Sequence, residues 1–292
     1  REWRKDYLTP YRDLVVAGTR TADAADDVAR TGLAALHARS VFRRDGEELP
    51  LLEACDRWTE PAYSSVTITG DAGRDPGLTM PFHGKRLFAV DVRRQLDSWV
   101  HEGIVERGFA TSVHTVLDHP DWLDLSGVTV VVLGAGAEMG PLRSLLRWGA
   151  HVVAVDLPRP DVWARVISTA RSSAGSLTIP VPLGAAPADD DELAAVAGVD
   201  LVRRLPEVHT WLSTIEGPFT LGTYTYADGA MHVRVALAAD ALGASLTAAR
   251  DDVGLAFLAT PTDVYAVPLT AVEESRRRWE GRGLSGIAQL PL

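Results

Sequence analysis

Three glycines and an acid carry the clearest chemical pattern in this chain. Gly134, Gly136 and Gly140 follow the apolar run Val128–Leu133, and Asp156 closes the next apolar run, His151–Val155, 22 residues after Gly134. An uninterrupted apolar run of this kind is what a parallel strand buried on both faces requires. Glycine at 134 permits a tight strand-to-helix turn, and Gly136 leaves room for a ligand to approach the backbone. A helix over 139–148 would then aim unpaired N–H groups at a bound anion. The Asp156 carboxylate suits the two hydroxyls of a ribose, and Arg159, three residues on, suits a phosphate.

A second group of reactive side chains gathers between Thr223 and Arg234. His232 is able to exchange a proton near neutral pH, and Asp228, one helical turn before it, would orient the ring. Tyr226 offers a hydroxyl to the same chemistry, and Arg234 suits a carboxylate or phosphoryl group of a substrate. Upstream, His209 and Glu216 flank Trp211 and Ser213, with His209 a candidate for substrate binding. The plainer reading has Tyr224 and Tyr226 packing at a strand end, Asp228 capping a helix and His232 lying at an interdomain surface. His114, Asp118 and His119 do not have the spacing of neighbours one helical turn apart, and no metal site is assigned to them. Cys55 is the only cysteine, which rules out an intramolecular disulfide and the cysteine-rich zinc patterns. The run Arg276–Arg278 reads as a solvated helix face.

The stretch Ser126–Pro160 resembles the Rossmann-fold NAD(P)-binding superfamily, and its glycine loop is similar to that of S-adenosylmethionine-dependent methyltransferases. The resemblance implies NAD or NADP as cofactor, with Asp156 favouring NAD and Arg159 leaving NADP open. On the methyltransferase reading, Gly134 and Gly136 surround the amino-acid part of S-adenosylmethionine, and Asp156 its ribose. The pattern departs from G-x-G-x-x-G, because Met139 stands at the third glycine and Gly140 comes one position later. Glu138 sits near the phosphate-binding end and opposes a pyrophosphate, whereas S-adenosylmethionine carries no phosphate. A weaker resemblance to short-chain dehydrogenases centres on Tyr226, which matches the tyrosine that opens a long helix, and on Ser213, which matches the catalytic serine. The lysine of that family falls at Ala230, so the proton relay lacks its cation. These patterns rank an NAD(P)-dependent oxidoreductase acting on a small organic substrate first. An S-adenosylmethionine-dependent methyltransferase comes second, and a non-catalytic structural or regulatory protein with a Rossmann-like fold third.

The elements that must hold these residues follow from periodicity. The 292 residues are 46% apolar and 23% charged, enough for two domains. A mainly helical domain is expected over 1–125, with helices over 9–18, 22–37, 49–58, from Asp91, and 111–117, and a strand over 65–69. A Rossmann-like α/β domain with a parallel sheet is expected over 126–292. Within it, Leu177–Leu183 reads as a third strand in which the missing donors of Pro180 and Pro182 argue for an edge or for the strand's ends, and 201–211 is compatible with helix or strand. Strands are expected over 219–226, 253–259 and 263–268, and helices over 160–170, 192–196, 230–248 and 271–280. The net charge of −10 argues against nucleic acid as a partner. No apolar run is long enough to span a bilayer, and Arg1–Asp6 leads into no apolar leader core. The chain begins with Arg rather than Met, which allows for a native segment ahead of it. A cytoplasmic protein with a small-molecule substrate is the expectation, and a homo-oligomer is compatible with it.

Overall fold

The computed structural model describes residues 3–75, 77–258 and 269–281. The chain forms two compact units, one from residues 1–73 with 127–258 and the other from 74–126 with 259–292. A single cut at 125–126 therefore does not describe the division. Residues 1–73 group with the α/β core because Tyr63–Thr69 joins the main sheet and Leu51–Arg57 packs on its helices.

Helices α1 (Trp3–Asp6), α2 (Leu8–Gly18) and α3 (Ala22–Arg39) open the first unit. Thr21 caps α3, its Oγ1 accepting the Ala24 N–H at 3.0 Å. Strands β1 (Val41–Arg44) and β2 (Glu47–Pro50) form a hairpin whose turn, Asp45–Gly46, has φ of 50° and 86°. Asp-Gly is the dipeptide that tolerates such a turn, and the hairpin went unrecognised in the sequence. Helix α4 (Leu51–Arg57) and strand β3 (Tyr63–Thr69) follow.

The second unit begins with the hairpin of β4 (Thr79–Phe82) and β5 (Lys85–Phe88), then α5 (Ala89–Glu102) and α6 (Arg107–Asp118). Val92, Leu96 and Ala110 form its small core, with Met80, Leu87, Trp99 and Leu117 packed around them.

The chain then returns to the first unit with β6 (Thr129–Leu133), α7 (Leu142–Arg147), β7 (His151–Val155) and α8 (Pro160–Arg171). Next come β8 (Ser176–Pro182), α9 (Asp190–Val196) and α10 (Leu205–Leu212), which settles the ambiguous segment 201–211 as mostly helix. Strand β9 (Phe219–Thr223), α11 (Gly229–Ala249) and β10 (Val253–Phe257) complete the sheet. Helix α12 (Leu269–Glu280) belongs to the second unit, where Arg278 donates to the Val100 carbonyl at the end of α5, 3.0 Å away. The strand expected over 263–268 lies outside the described residues.

The six strands lie in the order β10-β9-β6-β7-β8-β3. The first five run parallel and β3 runs antiparallel to β8, so the sheet is mixed. Val131, Leu133, Val153, Val155, Phe219 and Leu221 form the core on one face together with residues of α4, α10 and α11. Their alternates, Val130, Val132, Val152 and Ala154, are equally buried, as strands covered by helices on both faces must be.

Strand β8 is not an edge, despite its prolines. Its parallel pairing with β7 ends at Thr178, and its antiparallel pairing with β3 continues to Pro182. The Pro180 carbonyl is met instead by the Gly198 N–H at 3.0 Å, so the missing donor falls where no strand needs it.

A buried charge cluster ties the β1–β2 hairpin to α10. Glu207 accepts from Arg44 at 2.8 Å and Arg204 at 2.9 Å, while the Arg44 guanidinium lies 5.2 Å from the Phe42 ring and 5.0 Å from the Trp58 ring. Burial alone would raise the Glu207 carboxyl, but the two arginine hydrogen bonds overcome it and hold the group below its ordinary range.

Candidate functional site

Strand order reverses at β6, with β7 and β8 on one side and β9 and β10 on the other. In parallel α/β sheets the crevice beyond the carboxyl ends of the strands at such a point is where ligands bind. The glycine turn leaves β6 at this place, the Asp156 loop leaves β7, and the Tyr224–Asp228 segment leaves β9.

Gly134 takes a φ of 83°, and a Cβ there would stand 2.9 Å from the Tyr224 carbonyl oxygen and 3.1 Å from the Thr225 nitrogen. The β9 exit thus runs directly against the turn. Gly136 is held differently: its N–H donates to Asp156 Oδ2 at 2.6 Å, and a Cβ would meet Val162 Cγ1 of α8 at 2.3 Å. The expected role of Gly136, leaving room for a ligand, is therefore joined by a packing role against α8. Gly140 closes the loop, its N–H donating to the Ala137 carbonyl at 3.0 Å.

Asp156 is fixed by the backbone around it. Its Oδ1 accepts from the Leu157 N–H at 2.7 Å, while Oδ2 takes the Gly136 N–H. Each carboxylate oxygen retains acceptor capacity for a further donor, such as a hydroxyl. Gly198, which the sequence did not single out, passes behind this loop at φ 103°, where a Cβ would lie 2.9 Å from the carbonyl oxygens of Asp156 and Leu157. Arg159 is exposed and pairs with Asp161 at 2.9 Å.

The helix after the glycine turn differs from expectation. It starts at Leu142, after Gly140 and Pro141, and has only six residues. The loop from Gly134 to Pro141 is non-helical, and Glu138 is exposed on it. No extended helix amino terminus points at the crevice from this loop, so the anion-binding role expected of 139–148 is not supported by the local geometry.

At the carboxyl end of β9, Tyr226 is 81% exposed. Its hydroxyl lies 3.4 Å from Asp228 Oδ1, long for such a bond, and its ring centroid is 5.7 Å from that of His232. Asp228 occupies the N-cap of α11 without a side-chain capping bond. His232 and Arg234 are exposed on the first turns of α11. Tyr226, Asp228 and His232 thus lie together beside the crevice, while Arg234, two residues after His232 on α11, faces away from His232.

Ser213 does not join them. It is the C-cap of α10, ahead of β9, and its hydroxyl donates to the His209 carbonyl at 2.8 Å. Tyr226 follows the far end of the strand, whose five residues at about 3.3 Å each separate the two. His209 is also elsewhere, buried among α4, α10 and α11 with its Nε2 3.0 Å from Ser245 Oγ. Burial lowers its pKa below the ordinary histidine value. Cys55 lies in the same core, its thiol pushed up to about 11 by burial.

In the second unit, Asp118 pairs with Arg93 at 2.6 Å, His114 approaches Asp97 at 4.0 Å, and His119 stacks on Trp122. Among the described residues no group of three or more His, Cys, Asp or Glu is placed to hold a metal ion. No helix among them is long and apolar enough to cross a membrane. Comparison with protein-family models, with curated proteins and with solved structures finds no match to this chain.

Proposed function

We propose that the first unit binds S-adenosylmethionine in the crevice at the carboxyl ends of β6 and β9 and transfers its methyl group to a small organic acceptor. One observation carries the reading. The Asp156 carboxylate is held against the Gly136 N–H at 2.6 Å, beside a loop that stays non-helical to Pro141 and bears Glu138. An immobilised acid at the end of β7 suits a ribose diol. A loop without a helix amino terminus, carrying a carboxylate, suits a cationic sulfonium and ammonium better than a pyrophosphate. The parallel strand order is that of doubly wound nucleotide-binding sheets, as far as β10.

When bound, the cofactor supplies an activated methyl group. The chain's part is positioning: the Gly134–Gly136 backbone and Asp156 hold the adenosyl moiety, and Tyr226 and His232 border the acceptor. His232 takes the acceptor's proton, a role that imidazole fills near neutral pH.

A second reading, an NAD(P)-dependent oxidoreductase, draws on the approach of Tyr226 to Asp228 and His232, which provides a proton donor without the short-chain dehydrogenase lysine. Calorimetric titration with S-adenosylmethionine, S-adenosylhomocysteine, NADH and NADPH separates the two. Gly136 is a poor probe because of Val162. Asp156→Asn keeps an acceptor for the Gly136 N–H and removes the charge. Saturable binding of the two adenosyl ligands, weakened at least tenfold in Asp156→Asn, is the expected result. Binding of NADH or NADPH alone moves the oxidoreductase to first place, and no binding by any of the four leaves a non-catalytic α/β scaffold.

A further inference from the structure

Helices α2 and α3 are amphipathic, yet they bury almost nothing. On α2, Leu8, Tyr11, Leu14, Val15 and Gly18 recur at the three- and four-residue spacing of one helix face, and only Gly18 is buried. On α3, Ala25, Ala29, Gly32, Leu33 and Leu36 make a second stripe, and no residue of that 18-residue helix is buried. Leu8, Tyr11, Leu14, Leu33 and Leu36 are each 43–63% exposed. Charged residues border these stripes and pair locally, Arg12 with Asp13 at 2.9 Å and Arg30 with Asp26 at 2.6 Å. Near its carboxyl end α3 is tied to α11 by His37, which meets Asp240 at 2.5 Å.

We propose that this hairpin is a homodimerisation element, in which the α2–α3 pairs of two copies pack into a four-helix bundle. Two features select a second copy as the occupant. The first is charge: over residues 5–39 five acids balance five bases, while the whole chain carries −10. Two copies that meet through this segment join where it is neutral, and meeting through the acidic remainder would set like charges together. The second is area. The five large side chains alone expose about 500 Å² per copy, more than half of the roughly 800 Å² per partner found in stable interfaces. The small residues of the α3 stripe allow close approach of helix axes, and a helical hairpin is self-complementary about a two-fold axis.

Sedimentation velocity of the full chain between about 1 and 100 μM, a range that brackets ordinary dimer affinities, tests this. Tyr11→Asp and Leu36→Asp, one on each helix, are expected to weaken dimerisation at least tenfold each. Far-UV circular dichroism should stay unchanged, since both side chains are exposed within the protomer. Arg30→Ser, on the polar face, is expected to leave the dimer intact. A wild-type chain that is monomeric across the range, or a dimer indifferent to both aspartates, overturns the proposal.

Discussion

Gly136→Ala is the most informative single substitution in the glycine turn, because its effect is expected to come from α8. The added methyl stands 2.3 Å from Val162 Cγ1 and 3.2 Å from Asp156 Oδ2. Val162 is buried and β-branched in a helix, so it has one strongly preferred rotamer and cannot swing aside. Overpacking of this kind costs about 1–3 kcal/mol. Val162→Ala alone removes two buried carbons and costs about 2 kcal/mol. In the double variant the alanine methyl occupies the space the valine vacated. The pair should then cost less than the sum, with a coupling of about 1–2 kcal/mol. Urea denaturation followed by circular dichroism reads all four proteins, and each kcal/mol should move the thermal midpoint of a unit this size by about 2–4 °C. Additive costs would refute the packing account. So would a Gly136→Ala protein of unchanged stability that had lost ligand binding, which would return Gly136 to a role in ligand approach alone.

Other expectations follow from the buried polar groups. Glu207→Ala should destabilise the first unit by about 3 kcal/mol, because Arg44 is left unpaired among aromatic rings, and chemical denaturation measures it. The folded carboxyl of Glu207 lies below its unfolded value. Its contribution is therefore complete above the unfolded glutamate pKa and is lost as pH falls through the folded one, visible as a wild-type melting temperature that drops in acid more steeply than that of Glu207→Gln. His209 and His151 have pKa values lowered by burial, so the fold favours their neutral forms. Stability should decline as pH falls below the unfolded histidine value, and His209→Asn should flatten that part of the melting-temperature profile. Cys55 is fully buried, with its thiol pushed up to about 11. A disulfide-exchange reagent at mildly alkaline pH should leave it unmodified in the native protein and label it at once in denaturant.

The parts of the fold visible in the sequence were those dictated locally. The runs Val128–Leu133 and His151–Val155 left no alternative to buried strands, and Asp156 stands where the second of them ends. The α11 and α12 patterns were long enough to place both helices within a few residues. What stayed hidden depended on distant partners. Nothing near Tyr63–Thr69 says that its mate is β8, 111 residues from Thr67 to Thr178. The prolines of β8 were compatible with an edge or with strand ends; Pro182 is the strand's last residue, and the tolerance of Pro180 depends on where β7 stops pairing and on Gly198. Ser213 and His209 were candidates for the same site as Tyr226, but β9 carries the chain from one end of the sheet to the other between them. The Gly136–Val162 contact had no sequence signal, since it joins a loop to a helix 26 residues on.

The alternation of segments between the two units has a consequence for biosynthesis. The first unit uses residues 1–73 and 127–258, and the second uses 74–126 and 259–292, so the order along the chain is first, second, first, second. As the chain leaves the ribosome, β3 emerges more than a hundred residues before β8 and must wait unpaired. The local hairpin and helices of the second unit form meanwhile, since contacts close in sequence are fastest to make. That unit in turn lacks α12 until after β10 of the first unit has been made. The first unit has all its segments once residue 258 is made, whereas the second still needs 259–292, and because the segments alternate no single cleavage separates the two. Co-translational folding therefore proceeds through an intermediate in which both units are partly built, and the first unit gains its last strand before the second gains α12.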